Sequence, residues 1–167
     1  MGMFCYQCQE TAGGKGCTVR GVCGKTEDTA KRMDLLIHTL KGIANIVVTD
    51  QLDVSKLDVL NGEVLTSLFM TITNANFDND ALDHQIQKML VFRDGLRKPD
   101  GKYHDAATCS VSGKESMLDL AASVGVLATQ NEDVRSLREL VIYGLKGIAA
   151  YAEHARNLGS KSAEISA

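Results

Sequence analysis

Four of the five cysteines in this 167-residue chain fall between residues 5 and 23, in the order Cys5-x2-Cys8-x8-Cys17-x5-Cys23. No other feature constrains the chain so tightly. A segment this short, threaded with Gly13, Gly14, Gly16, Gly21 and Gly24, cannot bury a core of its own, so its thiols must be cross-linked, metal-bound or redox-active. The N-terminus lacks the charged-then-apolar pattern of a secretory signal, and Tyr6 stands where a myristoylation motif wants Ser or Thr. We therefore expect a cytoplasmic chain. Thiols stay reduced there, and with Cys109 standing apart the cysteine count is odd, so a disulfide framework is disfavoured.

Three chemistries remain for the cluster of thiols. A zinc ribbon presents two close pairs of ligands, and the five-residue gap between Cys17 and Cys23 is not a pair. A thioredoxin-like use of Cys5-x2-Cys8 needs a strand-to-helix junction, and no strand precedes this segment. An iron-sulfur cubane takes four thiolates on separate corners of a bulky core, and the glycines permit the wrap that such a core demands. The spacing therefore favours a cluster, with zinc or a dithiol as the alternatives. Lys15, Arg20 and Lys25 lie in or beside the loop, where positive charge offsets a four-thiolate centre.

After Gly24 the sequence turns helical. It has one proline and eight aromatic residues, four Tyr and four Phe, and no stretch alternates apolar with polar residues over a useful length. With 44% hydrophobic and 23% charged residues it has the balance of a globular protein. A net charge of −3 disfavours nucleic acid or an anionic membrane as partner. No run of 18 apolar residues is present.

The first helix is predicted from Thr26 as N-cap, with Leu36, Ile37, Leu40, Ile43 and Ala44 on one face. A second is predicted from Asn61 as cap through Ile72, ended by the turn-forming residues of 74–80, and a third over about 79–98, closed by Pro99. Residues 99–112 read as a surface loop holding His104 and Cys109. Ser112-x-x-Glu115 and Thr129-x-x-Glu132 are capping-box signatures for two further helices. The last of these carries a long stripe, Leu137, Leu140, Val141, Leu145, Ile148, Ala152 and Ala155, and ends at Gly159. We expect an all-α helical bundle in which the Cys-rich loop of residues 1–25 and the helices of 26–167 form one structural domain.

Residues 35–44, LLIHTLKGIA, echo residues 140–149, LVIYGLKGIA, in the same register. The shared Lys-Gly pair argues for duplicated helices whose glycines let backbones approach.

Residues 3–44, MFCYQCQETAGGKGCTVRGVCGKTEDTAKRMDLLIHTLKGIA, resemble the N-terminus of the hybrid cluster proteins, or hydroxylamine reductases, relatives of carbon monoxide dehydrogenase. Residues 68–78, LFMTITNANFD, and 125–159 resemble later parts of that family's helical N-terminal domain, while the resemblance lapses between about 45 and 64. The resemblance implies that Cys5, Cys8, Cys17 and Cys23 bind a [4Fe-4S] cluster and that electrons pass from it to a hybrid Fe-S-O cluster where hydroxylamine or nitric oxide is reduced. The ligands to that second centre belong to two later α/β domains. By the same resemblance this chain alone would not reduce hydroxylamine, and its partners would be those domains or a separate redox protein. An apolar face made to meet them would leave the chain prone to self-association.

The remaining reactive residues read as structural. His38, His84, His104 and His154 include no i, i+4 pair on one helix, Cys109 reads as a free thiol, and Glu10 and Glu27 as solvated charge or helix-dipole complement. A structural or interaction module, with zinc or no metal at the cysteines, is the competing function.

Overall fold

The computed structural model describes residues 2–111, 113–160, 162 and 165, apart from the side chain of Lys114. Among these residues the fold is all-α. The helices are α1 (Glu27–Thr49), α2 (Asp58–Met70), α3 (Asn79–Leu96), α4 (Asp105–Thr108), α5 (Gly113–Val124) and α6 (Glu132–Asn157). Single 3-10 turns occupy Ala12–Gly14, Val54–Lys56 and Val126–Ala128.

Helix α1 starts where its cap predicts. The Thr29 N–H donates to Thr26 Oγ1 at 3.2 Å, and Glu27 and Asp28 complement the positive end of the helix dipole. Its apolar face buries Met33, Leu36, Leu40 and Ile43 against Leu60 of α2, Leu82, Ile86 and Met89 of α3, and Met117 of α5. Ala44, expected on that face, is exposed. The helix also packs on α4, so it is the hub of the bundle. Arg32, 1% exposed, ties α1 to α3 by a two-pronged pair with Asp83, Nε to Oδ1 at 2.6 Å and Nη2 to Oδ2 at 3.2 Å.

The expected cap at Asn61 gives way to an earlier start. The 3-10 turn Val54–Lys56 feeds directly into α2, and Asn61 lies inside that helix, its Nδ2 donating to Val54 O at 2.8 Å. Helix α3 is capped by Asp78, whose Oδ1 accepts from the Asp80 and Ala81 N–H groups at 3.0 Å each. The segment 99–112 is not all loop, because α4 folds within it. Its Ala106 carbonyl passes so close to Gly42 that a Cβ there would lie 2.2 Å from the oxygen. Ser112 lies outside the described residues, so the capping box proposed on it is not described.

The cap of α6 also moves. Thr129 was expected to fill it, but Asn131 Oδ1 accepts the Val134 N–H at 3.0 Å, and Thr129 Oγ1 instead accepts Arg138 Nη1 at 3.0 Å. Helix α6 packs mainly on α2, and the face it turns inward sets polar residues beside the fully buried Ala149. Lys146 and Glu153 are buried, while Leu137, Leu140, Val141, Leu145 and Ile148 are exposed. The duplicated helices thus differ in environment, and only α1 buries its apolar stripe.

Candidate functional site: the cysteine loop

The segment before α1 is a loop pinned at its waist. Cys5 and Cys17 form an isolated antiparallel bridge, Cys5 N–H to Cys17 O at 3.0 Å and Cys17 N–H to Cys5 O at 2.9 Å. Thr11 Oγ1 donates to Cys5 O at 3.1 Å, and Tyr6 Oη donates to Gly14 O at 3.0 Å across the glycine turn. Gly16, at φ +112°, lies against the Phe4 ring, 2.6 Å from where a Cβ would stand, so both its conformation and its space require glycine.

The four thiols share this loop in different settings. Cys17 is buried, Cys5 and Cys8 are half-buried, and Cys23 is exposed. The Ala12 N–H donates to Cys17 Sγ at 3.5 Å and the Thr11 hydroxyl lies 3.7 Å from it. The Ala12 N–H, then the Val22 N–H and the Thr11 hydroxyl, hold the Cys17 thiol below its ordinary range against the opposing effect of burial. Burial pushes the Cys5 thiol up, and the Lys25 charge opposes that rise. Lys25 is 1% exposed, with Nζ 4.0 Å from Cys5 Sγ. A Cβ on Gly21 would lie 3.0 Å from Cys23 Sγ, so the glycine leaves the space that this thiol uses.

Four thiols with backbone N–H groups and a buried ammonium directed at sulfur suit a soft, anionic centre held by thiolates. Among the described residues no three His, Cys, Asp or Glu side chains gather closely enough to hold one metal ion. Cys109 is not part of this group. It ends α4 beside the buried Arg93, whose Nη1 donates to Cys109 Sγ at 3.0 Å and whose Nη2 donates to Cys109 O at 2.7 Å. The histidines lie elsewhere: His154 meets the Phe69 ring edge-on at 5.5 Å, and the His104 N–H donates to Asn45.

Sequence reasoning missed the wall behind the loop. Tyr143 Oη of α6 donates to Tyr6 O at 2.5 Å, and Lys146 Nζ donates to Thr71 O at 3.0 Å and Gln7 Oε1 at 3.3 Å. Asp34 of α1 and Glu139 of α6 line the same recess as Lys146 and Gln7. Burial pushes the Asp34 carboxyl up to about 7, opposed by Lys146, and burial lowers Lys146 to about 8. The second Lys-Gly pair was a signal for Lys146, although nothing in the sequence marked this lysine as buried.

A helical bundle with a thiol-rich N-terminal loop packed against two of its helices defines the class of this chain. Its sequence matches the Prismane/CO dehydrogenase family over residues 3–167, and the chain belongs to that family. The match runs through residues 45–64 as well. It is similar to the hydroxylamine reductase of Acetivibrio thermocellus, 62% identical over 99% of this chain and 31% of that protein. It is also similar to those of Clostridium perfringens, 51% identical over 100% of this chain and 32% of the relative, and of Desulfitobacterium hafniense, 51% identical over 99% and 32%. The chain thus spans about a third of the length of these curated relatives.

Proposed function

We propose that this chain is the cluster-bearing helical part of a hydroxylamine reductase, in which Cys5, Cys8, Cys17 and Cys23 hold a [4Fe-4S] cluster. The observation that carries the reading is the presence of all four cysteines in one glycine-rich loop, with Lys25 buried against Cys5. A cluster held there supplies one-electron storage, and its electrons are destined for a hybrid Fe-S-O cluster outside this chain. The protein's own residues prepare the place. The Ala12 N–H donates to Cys17 and the Thr11 hydroxyl lies beside it, Lys25 balances thiolate charge, and Tyr143 and Lys146 hold the Tyr6–Gln7 backbone and side chain from behind.

The loop of residues 1–25 and the bundle of 26–167 act as one domain in this reading. The electron acceptor is either the remainder of a longer polypeptide, of the kind the relatives have, or a separate redox protein, and the setting is the cytoplasm. Among the described residues no helix is long and apolar enough to cross a membrane. Self-association through the exposed face of α6 is part of the proposal. No hydroxylamine reduction is assigned to the chain by itself.

The test is iron and acid-labile sulfide per chain after anaerobic purification, with the visible spectrum of the same sample. Near four of each, lost on Cys8→Ser, is the expected result. Zinc without sulfide would overturn the reading in favour of a structural module.

A further inference from the structure

Two cavities meet at Asp34. The larger, about 260 Å³, opens between the 2–4 segment, α1 and the end of α5, with Phe4, Lys31, Ala122 and Leu127 in its walls. The smaller, about 30 Å³, is the recess described above, which reaches Lys146 and Gln7. Of the described residues around them, Asp34 and Val126 alone line both, and of those two only Asp34 can carry a proton. Even the smaller cavity has room for a water molecule among polar partners. Together they lead past one carboxyl to the underside of the cysteine loop, where Gln7 stands between Cys5 and Cys8 in the chain and accepts from Lys146 Nζ at 3.3 Å. Asp34 is half-buried, and no hydrogen bond among the described residues commits it to one protonation state. Burial and Glu139 favour its acid form, Lys146, Lys25 and Lys41 favour the carboxylate, and Lys31 in the cavity wall is paired with Glu27 at 2.5 Å. The Asp34 charge also reaches the Cys5 thiol, where it adds to the larger effect of burial. Coulombic coupling is mutual, so negative charge gathered on the thiols raises the proton affinity of Asp34 in turn.

We propose that Asp34 is the proton-accepting residue of the electron-transfer site: its carboxylate takes a proton from solvent, by way of these cavities, when the cysteine loop's cluster takes an electron. The inference rests on the [4Fe-4S] reading above and adds a proton to it. One electron comes from a reduced one-electron donor, dithionite in the test below, and one proton from water. The carboxylate becomes the carboxylic acid, no bond to sulfur is made or broken, and both electron and proton leave on reoxidation. The negative charge gained at the loop is thereby offset inside the protein, where an uncompensated charge is costly. Lys146 cannot accept in its place near neutrality, because with burial holding it at about 8 it already carries its proton there.

The experiment is a redox titration of the whole cluster-loaded chain with dithionite, followed by its visible spectrum, at a series of pH values on both sides of neutrality. The midpoint is expected to be level on the acid side, where Asp34 is protonated throughout. Above neutrality it is expected to fall toward the limit of one proton per electron, a tenfold change in the reduction equilibrium per pH unit, or about 59 mV for a one-electron couple. Asp34→Asn, which keeps the shape and removes the titrating group, is expected to flatten that slope. Redox-difference infrared spectra of wild type are expected to gain a protonated-carboxyl band on reduction, shifted by isotope-labelled aspartate and missing from the variant. A merely structural Asp34 would move neither readout. Lys146→Met removes the charge that most favours the carboxylate, so it is expected to carry the onset of the slope to higher pH, and it tests the assignment where Asp34→Asn fails to fold. A level midpoint at every pH, a slope that survives Asp34→Asn, an onset that ignores Lys146→Met, or no aspartate band overturns the assignment and leaves the cluster reading standing. A chain that holds no iron and sulfide overturns both.

Discussion

Lys25 shows what a single residue contributes at the cysteine loop. A lysine in a glycine-rich segment is ordinarily solvated, yet this one is 1% exposed and its ammonium stands 4.0 Å from Cys5 Sγ. A buried cation is tolerated only where negative charge meets it, and in the proposed cluster the thiolates provide that charge. Its removal should be felt most by the more negatively charged state of the centre. We predict that Lys25→Met, close in volume and without charge, makes the bound cluster harder to reduce. A spectroscopically monitored redox titration should give a more negative midpoint than wild type, whereas an unchanged midpoint would mean that the ammonium has no electrostatic role. The sequence placed Lys25 beside the loop on chain position alone. Its burial depends on the way the 21–25 turn folds back, Gly21 N–H donating to Lys25 O at 2.8 Å, which no local pattern announces.

The elements were legible where their signals are local. The Thr26 cap, the periodic core of α1 and the turn ahead of α3 all follow from side chains acting on their own backbone. The start of α6 moves because Asn131 caps it in place of Thr129, whereas α2 begins without a side-chain cap, directly after the 3-10 turn Val54–Lys56. The orientation of α6 was not legible, because periodicity reveals that a stripe exists and not what covers it. The duplicated Lys-Gly pairs make the difference measurable. Gly42→Ala would force a methyl to 2.2 Å from the Ala106 carbonyl and should destabilise the fold by about 1–3 kcal/mol or more. Gly147→Ala meets nothing within 4 Å on a helix interior and should stabilise it by roughly 0.5–1 kcal/mol. Urea denaturation of the two variants checks this, and equal effects would mean that α4 yields to the methyl.

For the whole molecule, the recess between α1 and α6 ties stability to pH. Burial lifts the Asp34 carboxyl from its ordinary 3.8 to about 7, so the native state holds its proton more tightly than the unfolded chain. Its contribution is complete below pH 4 and is lost as pH rises through 7, at a cost of at most about 4 kcal/mol. Lys146 runs the other way, with a folded pKa of about 8 against 10.5, so its contribution is present at high pH and is lost as pH falls through 8. The Asp34 effect is isolated by Asp34→Asn. Wild type should lose more stability than the variant between pH 5 and pH 8, and parallel pH profiles of Tm would overturn this reading. The four thiols and the all-α class were visible from residue spacing. The recess was not, because Asp34, Glu139, Lys146 and Gln7 come from distant parts of the chain and carry no shared pattern.

Helix α6 is tied by polar contacts to α2, to Thr71 and to the cysteine loop and adds no residue to the apolar core that encloses α1. Bonds of that kind exchange readily with water, so α6 should detach in partial openings that leave the other helices folded. Its amide hydrogens would then exchange with deuterium sooner than those of α1. If two copies pair through it, dilution would hasten that exchange in α6 more than elsewhere, making a segment's local lifetime depend on how many chains surround it.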